Sequence, residues 1–437
     1  MNDAYAQWQA RSRAAVWHPC TQMKLHERMP PVPIARAHGA WLYDHRGSRY
    51  LDAISSWWVN LFGHANPRVN AALTAQLGDF AHVMLAGFTH APVIELSERL
   101  AALAPAGLGH AFYASDGASA TEIALKMSFH YWQQCGASGK THYARLRGGY
   151  HGETVGALGV TDVALFRDAY GPLLREHPVL PSPAREPDDP RTAAQAVDDA
   201  LAALEAFLAE HAATTAALVV EPLVQGAGGM AMYDARYLRG ARELTQRHGV
   251  HLIADEIMTG FGRTGTMFAC EQAAITPDLM CLSKGITGGY LPLSCVLATD
   301  RVYDAFYADD VARGFLHSHS YTGNALACRA ALAVLDIFRD DDVVAVNRAR
   351  ASRWRNMSLP LSSHRRVRNL RQCGMIVAFE AQSDRPDFAR WFAAAALRHE
   401  LVLRPIGKTV YFMPPYIVTD DEFALIVQRT LAILDAC

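Results

Sequence analysis

Two short apolar runs restrict the fold more than anything else in this chain. "AALVVEPLV" (Ala216 to Val224) and "VHLIADEI" (Val250 to Ile257) are dense in aliphatic and β-branched residues, without the polar alternation of a half-exposed strand. Strands that read so are buried on both faces. Between them, "YDARYLRGARELTQRHG" (Tyr233 to Gly249) has helical periodicity and closes on a glycine cap. Two buried strands separated by a helix are the unit of a parallel sheet. "HYARLRG", "DLMCLSKG" and "LSCVLAT" (Leu293 to Thr299) read as further strands. "TEIALKMSFHYW" places Ile123, Met127 and Tyr131 on one helical stripe. The expectation is an α/β domain with a mostly parallel sheet covered on both faces.

The ends of the chain differ. The opening segment reads as irregular up to about Ala35, and "GAWLYDHRGSRYLDA" (Gly39 to Ala53) as a β-hairpin around "DHRGS". After the long helix "NALACRAALAVLDIF" come strand-like "CGMIVAFEA", helical "DFARWFAAAALRHE" and strand-like "VYFMPPY". A last helix opens on a capping box formed by Thr419 and Glu422. This mixture predicts a second, smaller α+β domain, with a boundary near residue 330. A chain of 437 residues is too long for one ordinary core, which agrees. "PSPAREPDDP" (Pro181 to Pro190) reads as a surface loop, and no internal repeat is visible.

Composition excludes several classes. With 51% apolar and 19% charged residues the chain is a packed globular protein. A net charge of −2 gives no reason to expect nucleic acid or an acidic membrane surface. Eight scattered cysteines form no C-x-x-C pair, so no zinc, other metal or redox motif is expected. Such thiols suit a reducing compartment. The N-terminus has no signal-peptide core, and no run approaches the roughly 20 apolar residues that span a bilayer. The protein reads as soluble and cytosolic.

Four features carry chemistry. In "LMCLSKGITGG", Lys284 follows a strand and precedes a glycine-rich turn that lets a ligand approach the backbone. Ligands of open α/β sheets sit outside the carboxyl ends of the strands. A desolvated lysine there becomes a nucleophile toward carbonyls. An ordinary surface lysine is the alternative. Asp255 lies near the end of a very apolar strand, where a carboxylate needs a cation, a turn to cap or an arginine. In "YASDGASATEIALKM", Gly117 and Ala118 stand where a loop becomes a helix, either an anion site or a helix start capped by Ser115 or Asp116. In "RGGYHGET", Tyr150 or His151 can stack on a flat ring or pack as an ordinary aromatic. Together these meet the needs of pyridoxal 5′-phosphate: a Schiff-base lysine, an acid for the ring nitrogen and a phosphate site.

On these residues the chain resembles the class III (ornithine-type) aminotransferases, fold type I pyridoxal-phosphate enzymes. The resemblance runs from "LDAISSWW" to "RPIGKTVYFMPPY" and rests most on "LIADEIMTGFGRTG" followed by Lys284, 29 residues after Asp255. Within the class, "WHPCTQM", "SSWWVNLFGHANP", "HVMLAGFTHAP" and "EPLVQGAGGM" look like the branch that serves biotin synthesis. The fold implied is a large domain around a seven-stranded, mostly parallel sheet plus a small α+β domain. Residues 66–330 would form the first and 331–437 the second, with 1–65 contributing to the small domain and the active site. The reaction implied is transamination of 8-amino-7-oxononanoate to 7,8-diaminononanoate, with S-adenosylmethionine, or in some relatives lysine, as amino donor. The rival is a class III transaminase of ω-amino acids or diamines using pyruvate or 2-oxoglutarate.

The resemblance also implies roles. Lys284 would hold the cofactor and move the proton. Asp255 would keep the ring nitrogen protonated. Gly117 and Ala118 would bind the phosphate, and Tyr150 would lie against the ring near the substrate. In "HSHSYTGN", His319 and Ser320 would complete the phosphate site of a partner subunit, with Ser318 near the substrate, so a homodimer with shared sites is implied. Trp57 would form part of the substrate wall, Arg404 would bind the keto substrate's carboxylate, and Tyr411 would line the same pocket. Glu221 is a family feature behind the site, and Glu153 stands where donor choice would be set. One departure stands out: relatives of the biotin branch often carry tyrosine where this chain has Cys20, a weaker hydrogen-bonding group.

Overall fold

The structure, a computed structural model, describes residues 4–186 and 188–437. The chain divides into two compact units. One comprises Arg68–Arg353 and Arg371–Ala378; the other takes the chain up to Pro67 with Trp354–Leu370 and Phe379–Cys437.

The larger unit is built on seven strands: β1 (His110–Ala114), β2 (His142–Leu146), β3 (Val179–Leu180), β4 (Thr215–Val220), β5 (His251–Asp255), β6 (Leu279–Leu282) and β7 (Ser294–Ala298). Their order in the sheet is β1-β7-β6-β5-β4-β2-β3. The pairs from β6 to β3 are parallel, and β7 is antiparallel to both its neighbours. Six strands therefore point one way, and their carboxyl ends share one edge of the sheet. Every residue of β4, β5 and β6 is buried, which requires cover on both faces. Helix Gly117–Gln134 supplies part of that cover: Ile123, Met127 and Tyr131 join Val219, Ile253 and Val296 in one core cluster. The helix between β4 and β5 spans Ala235–Arg247, and Gly249 follows it with φ of 61°.

The smaller unit contains a four-stranded sheet in the order Ile34–His38, Trp41–Asp44, Arg49–Asp52, Leu401–Val402. The hairpin at "DHRGS" is closed by Asp44, whose Oδ1 accepts the N–H groups of Arg46 and Ser48, both at 2.9 Å. Its Oδ2 accepts the Tyr50 hydroxyl at 2.9 Å. Thr409–Phe412 is a further strand of this unit. Trp354 stacks on Phe423 with centroids 4.1 Å apart.

One expectation fails. The opening segment is not irregular: Ala4–Ala15 is an α-helix and Met23–Glu27 a 3-10 helix. Only Tyr5 of the α-helix is buried, so it has no apolar stripe to betray it in the sequence. Among the described residues no helix is long and apolar enough to cross a membrane.

The capping box at the last helix forms as expected, with Thr419 Oγ1 accepting the Glu422 N–H at 3.1 Å and the Glu422 carboxylate accepting the Thr419 N–H at 2.9 Å. Thr419→Ala is expected to lower stability by about 1 kcal/mol, read as a reduced denaturation midpoint.

Candidate active site

The shared sheet edge collects the residues with chemistry. Asp255 is the last residue of β5, Glu221 follows β4, Lys284 follows β6, Tyr150 and His151 follow β2, and Gly117 follows β1. Parallel strands alone would bring these residues to one side, as in other open α/β sheets.

Asp255 is 4% exposed. Its Oδ2 lies 2.7 Å from His151 Nδ1, and its Oδ1 accepts the Ile257 N–H at 3.1 Å. Asp255 thus caps the turn after β5, one of the partners the sequence offered, and in place of an arginine it also meets a histidine. His151 is itself buried; its N–H donates to Thr161 and its carbonyl accepts the Thr121 hydroxyl. Its Nε2 is buried with no hydrogen-bond partner among the described residues.

Glu221 is a second buried carboxylate at this edge. It accepts the N–H of Tyr150 at 2.9 Å and that of Gly226 at 2.8 Å. Burial pushes it up from 4.5 to about 7, with His151 opposing the shift and Asp255 adding to it. Lys284 has a left-handed φ of 43°. Burial holds its amine below the ordinary lysine value, against the pull of Asp255 and Glu221, while Arg263 lowers it further. Glu256 is buried too, and is tied to the Cys270 N–H at 2.8 Å and the Thr259 hydroxyl at 2.6 Å.

Tyr150 is only partly buried, and its hydroxyl donates to Glu153 at 2.9 Å. At the start of helix Gly117–Gln134, Asp116 caps the Ser119 N–H at 2.9 Å. The cap expected from sequence is present and leaves the first two N–H groups, of Gly117 and Ala118, without an intrahelical partner. A side chain at Gly117 would meet Ile257 at 3.0 Å, so the helix start packs against the loop after β5. Gly152, at φ 121°, would place a Cβ 2.6 Å from that of Ala118, which draws the Tyr150 loop to the same point. His319 Nε2 lies 3.0 Å from Ser115 Oγ. Ser318 and Ser320 are exposed, and the Ser320 carbonyl lies 2.8 Å from His82 Nε2.

The smaller unit holds Cys20, Trp57, Arg404 and Tyr411. The Arg404 guanidinium lies 4.7 Å above the Trp57 ring and donates to the Cys20 carbonyl at 3.2 Å. Among the described residues no carboxylate is within ion-pair distance of Arg404. Tyr411 is 2% exposed, and its hydroxyl accepts the Trp58 indole N–H at 3.0 Å. Trp57 belongs to a left-handed turn, Ser55–Trp58, which carries roughly 4–8 kcal/mol of backbone strain at about 1–2 kcal/mol per residue.

Comparison with known proteins follows this geometry. The profile of the family "Aminotransferase class-III" matches residues 22–434. The chain belongs to the class-III aminotransferases. An adenosylmethionine-8-amino-7-oxononanoate aminotransferase of Helicobacter pylori is 44% identical, over 96% of this chain and 96% of that one. The crystal structure of the enzyme of that name from Methanocaldococcus jannaschii superposes with a TM-score of 0.93 at 32% identity, covering 99% of both chains. A PLP-bound amine transaminase from an uncultivated Pseudomonas species gives a TM-score of 0.90 at 34% identity, covering 97% of this chain and 99% of that one. The chain is an aminotransferase with the expected α/β large sheet.

Sequence reasoning missed the pairing of His151 with Asp255. The available signal was the rule that a buried carboxylate needs a partner, together with a histidine beyond another strand of the same sheet. The raised pKa of Glu221 has a stability consequence. The folded state binds its proton more tightly than the unfolded chain does. The group's contribution is therefore complete below about pH 4.5 and is lost as pH rises through about 7. Glu221→Gln is expected to remove roughly 3 kcal/mol of that pH dependence, seen as flatter melting temperatures between pH 5 and 8 in cofactor-free protein.

Proposed function

We propose that this enzyme transfers an amino group from S-adenosylmethionine to 8-amino-7-oxononanoate in biotin synthesis, with pyridoxal 5′-phosphate as cofactor. The observation that carries the reading is a buried Asp255–His151 pair on the same sheet edge as a lysine made less basic by burial. The name of the Helicobacter and Methanocaldococcus relatives supports the substrate pair, and the PLP-bound transaminase supports the cofactor.

The residues fit that group. Lys284 supplies the amine that would hold it. Gly117 and Ala118 offer N–H groups at a helix start, which suits a phosphate dianion. Tyr150 offers a ring, and Asp255 offers a carboxylate whose position is fixed by His151 and the Ile257 N–H. When bound, the cofactor supplies an electron sink for the pair left as a Cα proton departs. Asp255 keeps the proton on the ring nitrogen. Lys284, less basic than an exposed lysine, would take the Cα proton and pass it to the cofactor's carbon rather than back to Cα. Arg404, with no carboxylate within ion-pair distance among the described residues, receives that of the keto acid, for which its planar fork is suited. Trp57 walls that site, with Cys20 giving its carbonyl to Arg404 and Tyr411 acting through Trp58. We place the enzyme in a reducing, cytosolic compartment on its eight free thiols. We read it as a homodimer in which segment 317–320 of one subunit, with Ser318 and Ser320 exposed, completes the phosphate site of the other.

A class-III transaminase of other amines is the second reading, favoured by the likeness to the amine transaminase. Lys284→Ala is expected to abolish turnover and the visible absorbance of lysine-bound cofactor; robust transamination by that variant would sink the assignment. Arg404→Ala is expected to raise KM for 8-amino-7-oxononanoate by at least about tenfold, measured in steady state.

A further inference from the structure

Four consecutive non-glycine residues, Ser55 to Trp58, have φ of 52°, 45°, 69° and 75°. No other left-handed run among the described residues is as long. Strain of this kind persists only where the surroundings over-determine it, and it concentrates where geometry matters to function. The restraints are visible. The Ser55 hydroxyl donates to the Met413 carbonyl at 2.7 Å. The Ser56 hydroxyl donates to Asp52 Oδ2 at 2.7 Å, while Oδ1 of that fully buried carboxylate accepts the Ile54 N–H at 3.2 Å. The Trp58 indole donates to Tyr411 at 3.0 Å. Three residues of the turn are thus tied down by their side chains. The fourth, Trp57, is left 40% exposed with the Arg404 guanidinium over its ring. A guanidinium resting on an aromatic face keeps its N–H edge for a carboxylate.

We propose that the Ser55–Trp58 turn is a positioning device for carboxylate recognition. Asp52 and Ser56 hold the backbone in its strained form, Trp57 serves as the platform that fixes the Arg404 plane, and together they set the preference for a substrate bearing a carboxylate. The inference rests on Arg404 as the receptor of that carboxylate.

The test is single-turnover amination, by holoenzyme, of the keto acid against its methyl ester. Trp57→Leu and Ser56→Ala are each expected to reduce the acid-over-ester ratio by about 2- to 30-fold, the range of a cation–π contact. Trp57→Phe, which keeps a platform, retains most of it. Ser56→Gly removes the hydroxyl but also the left-handed penalty. It is expected to melt above Ser56→Ala while losing the same selectivity, a pattern that loss of stability alone does not produce. If Arg404→Ala abolishes the acid preference and neither Trp57→Leu nor Ser56→Ala changes it, the positioning role is overturned and the carboxylate receptor stands. If Arg404→Ala itself leaves the preference unchanged, the receptor is wrong and the inference falls with it.

Discussion

A carboxylate buried at the end of a central strand governs this structure. Asp255 cannot sit there alone, since an uncompensated charge in such a place costs several kcal/mol. His151 answers it at 2.7 Å, and His151 is in turn fixed through its backbone by Thr161 and Thr121. The loop after β2 is thereby drawn to the end of β5, and the helix start at Gly117 packs on Ile257. Glu221 then finds itself near a second acid, and both burial and that neighbour favour its neutral form. Lys284 closes the group from the end of β6, its amine made less basic by the same exclusion of water.

The smaller unit solves a different problem. In the proposed reading, recognition of the keto acid's carboxylate needs a guanidinium held in one plane. Arg404 meets a ring face on one side and a backbone carbonyl on another. The ring owes its place to a turn that the backbone disfavours, and side-chain hydrogen bonds from Ser55, Ser56 and Trp58 offset that preference.

Much of this was legible in the residues. The apolar runs at 216–224 and 250–257 identify β4 and β5 because a strand covered on both faces needs no alternation. Asp255 and Lys284 stand out as polar groups at the ends of such runs. Three things stayed hidden for physical reasons. The helix Ala4–Ala15 buries one residue only, so no periodicity marks it. The reversed direction of β7 leaves no trace in composition, since a strand buried on both faces reads alike either way. The left-handed turn is spelled Ser-Ser-Trp-Trp, without the glycine or asparagine that marks such backbone, because tertiary hydrogen bonds impose it.

The most direct measurement is the visible spectrum of the purified holoenzyme under single-turnover conditions, first with S-adenosylmethionine and then with 8-amino-7-oxononanoate. The band of lysine-bound cofactor should fade on the first addition and return on the second. A band that survives S-adenosylmethionine and fades only with another amine would contradict the assignment of donor and pathway.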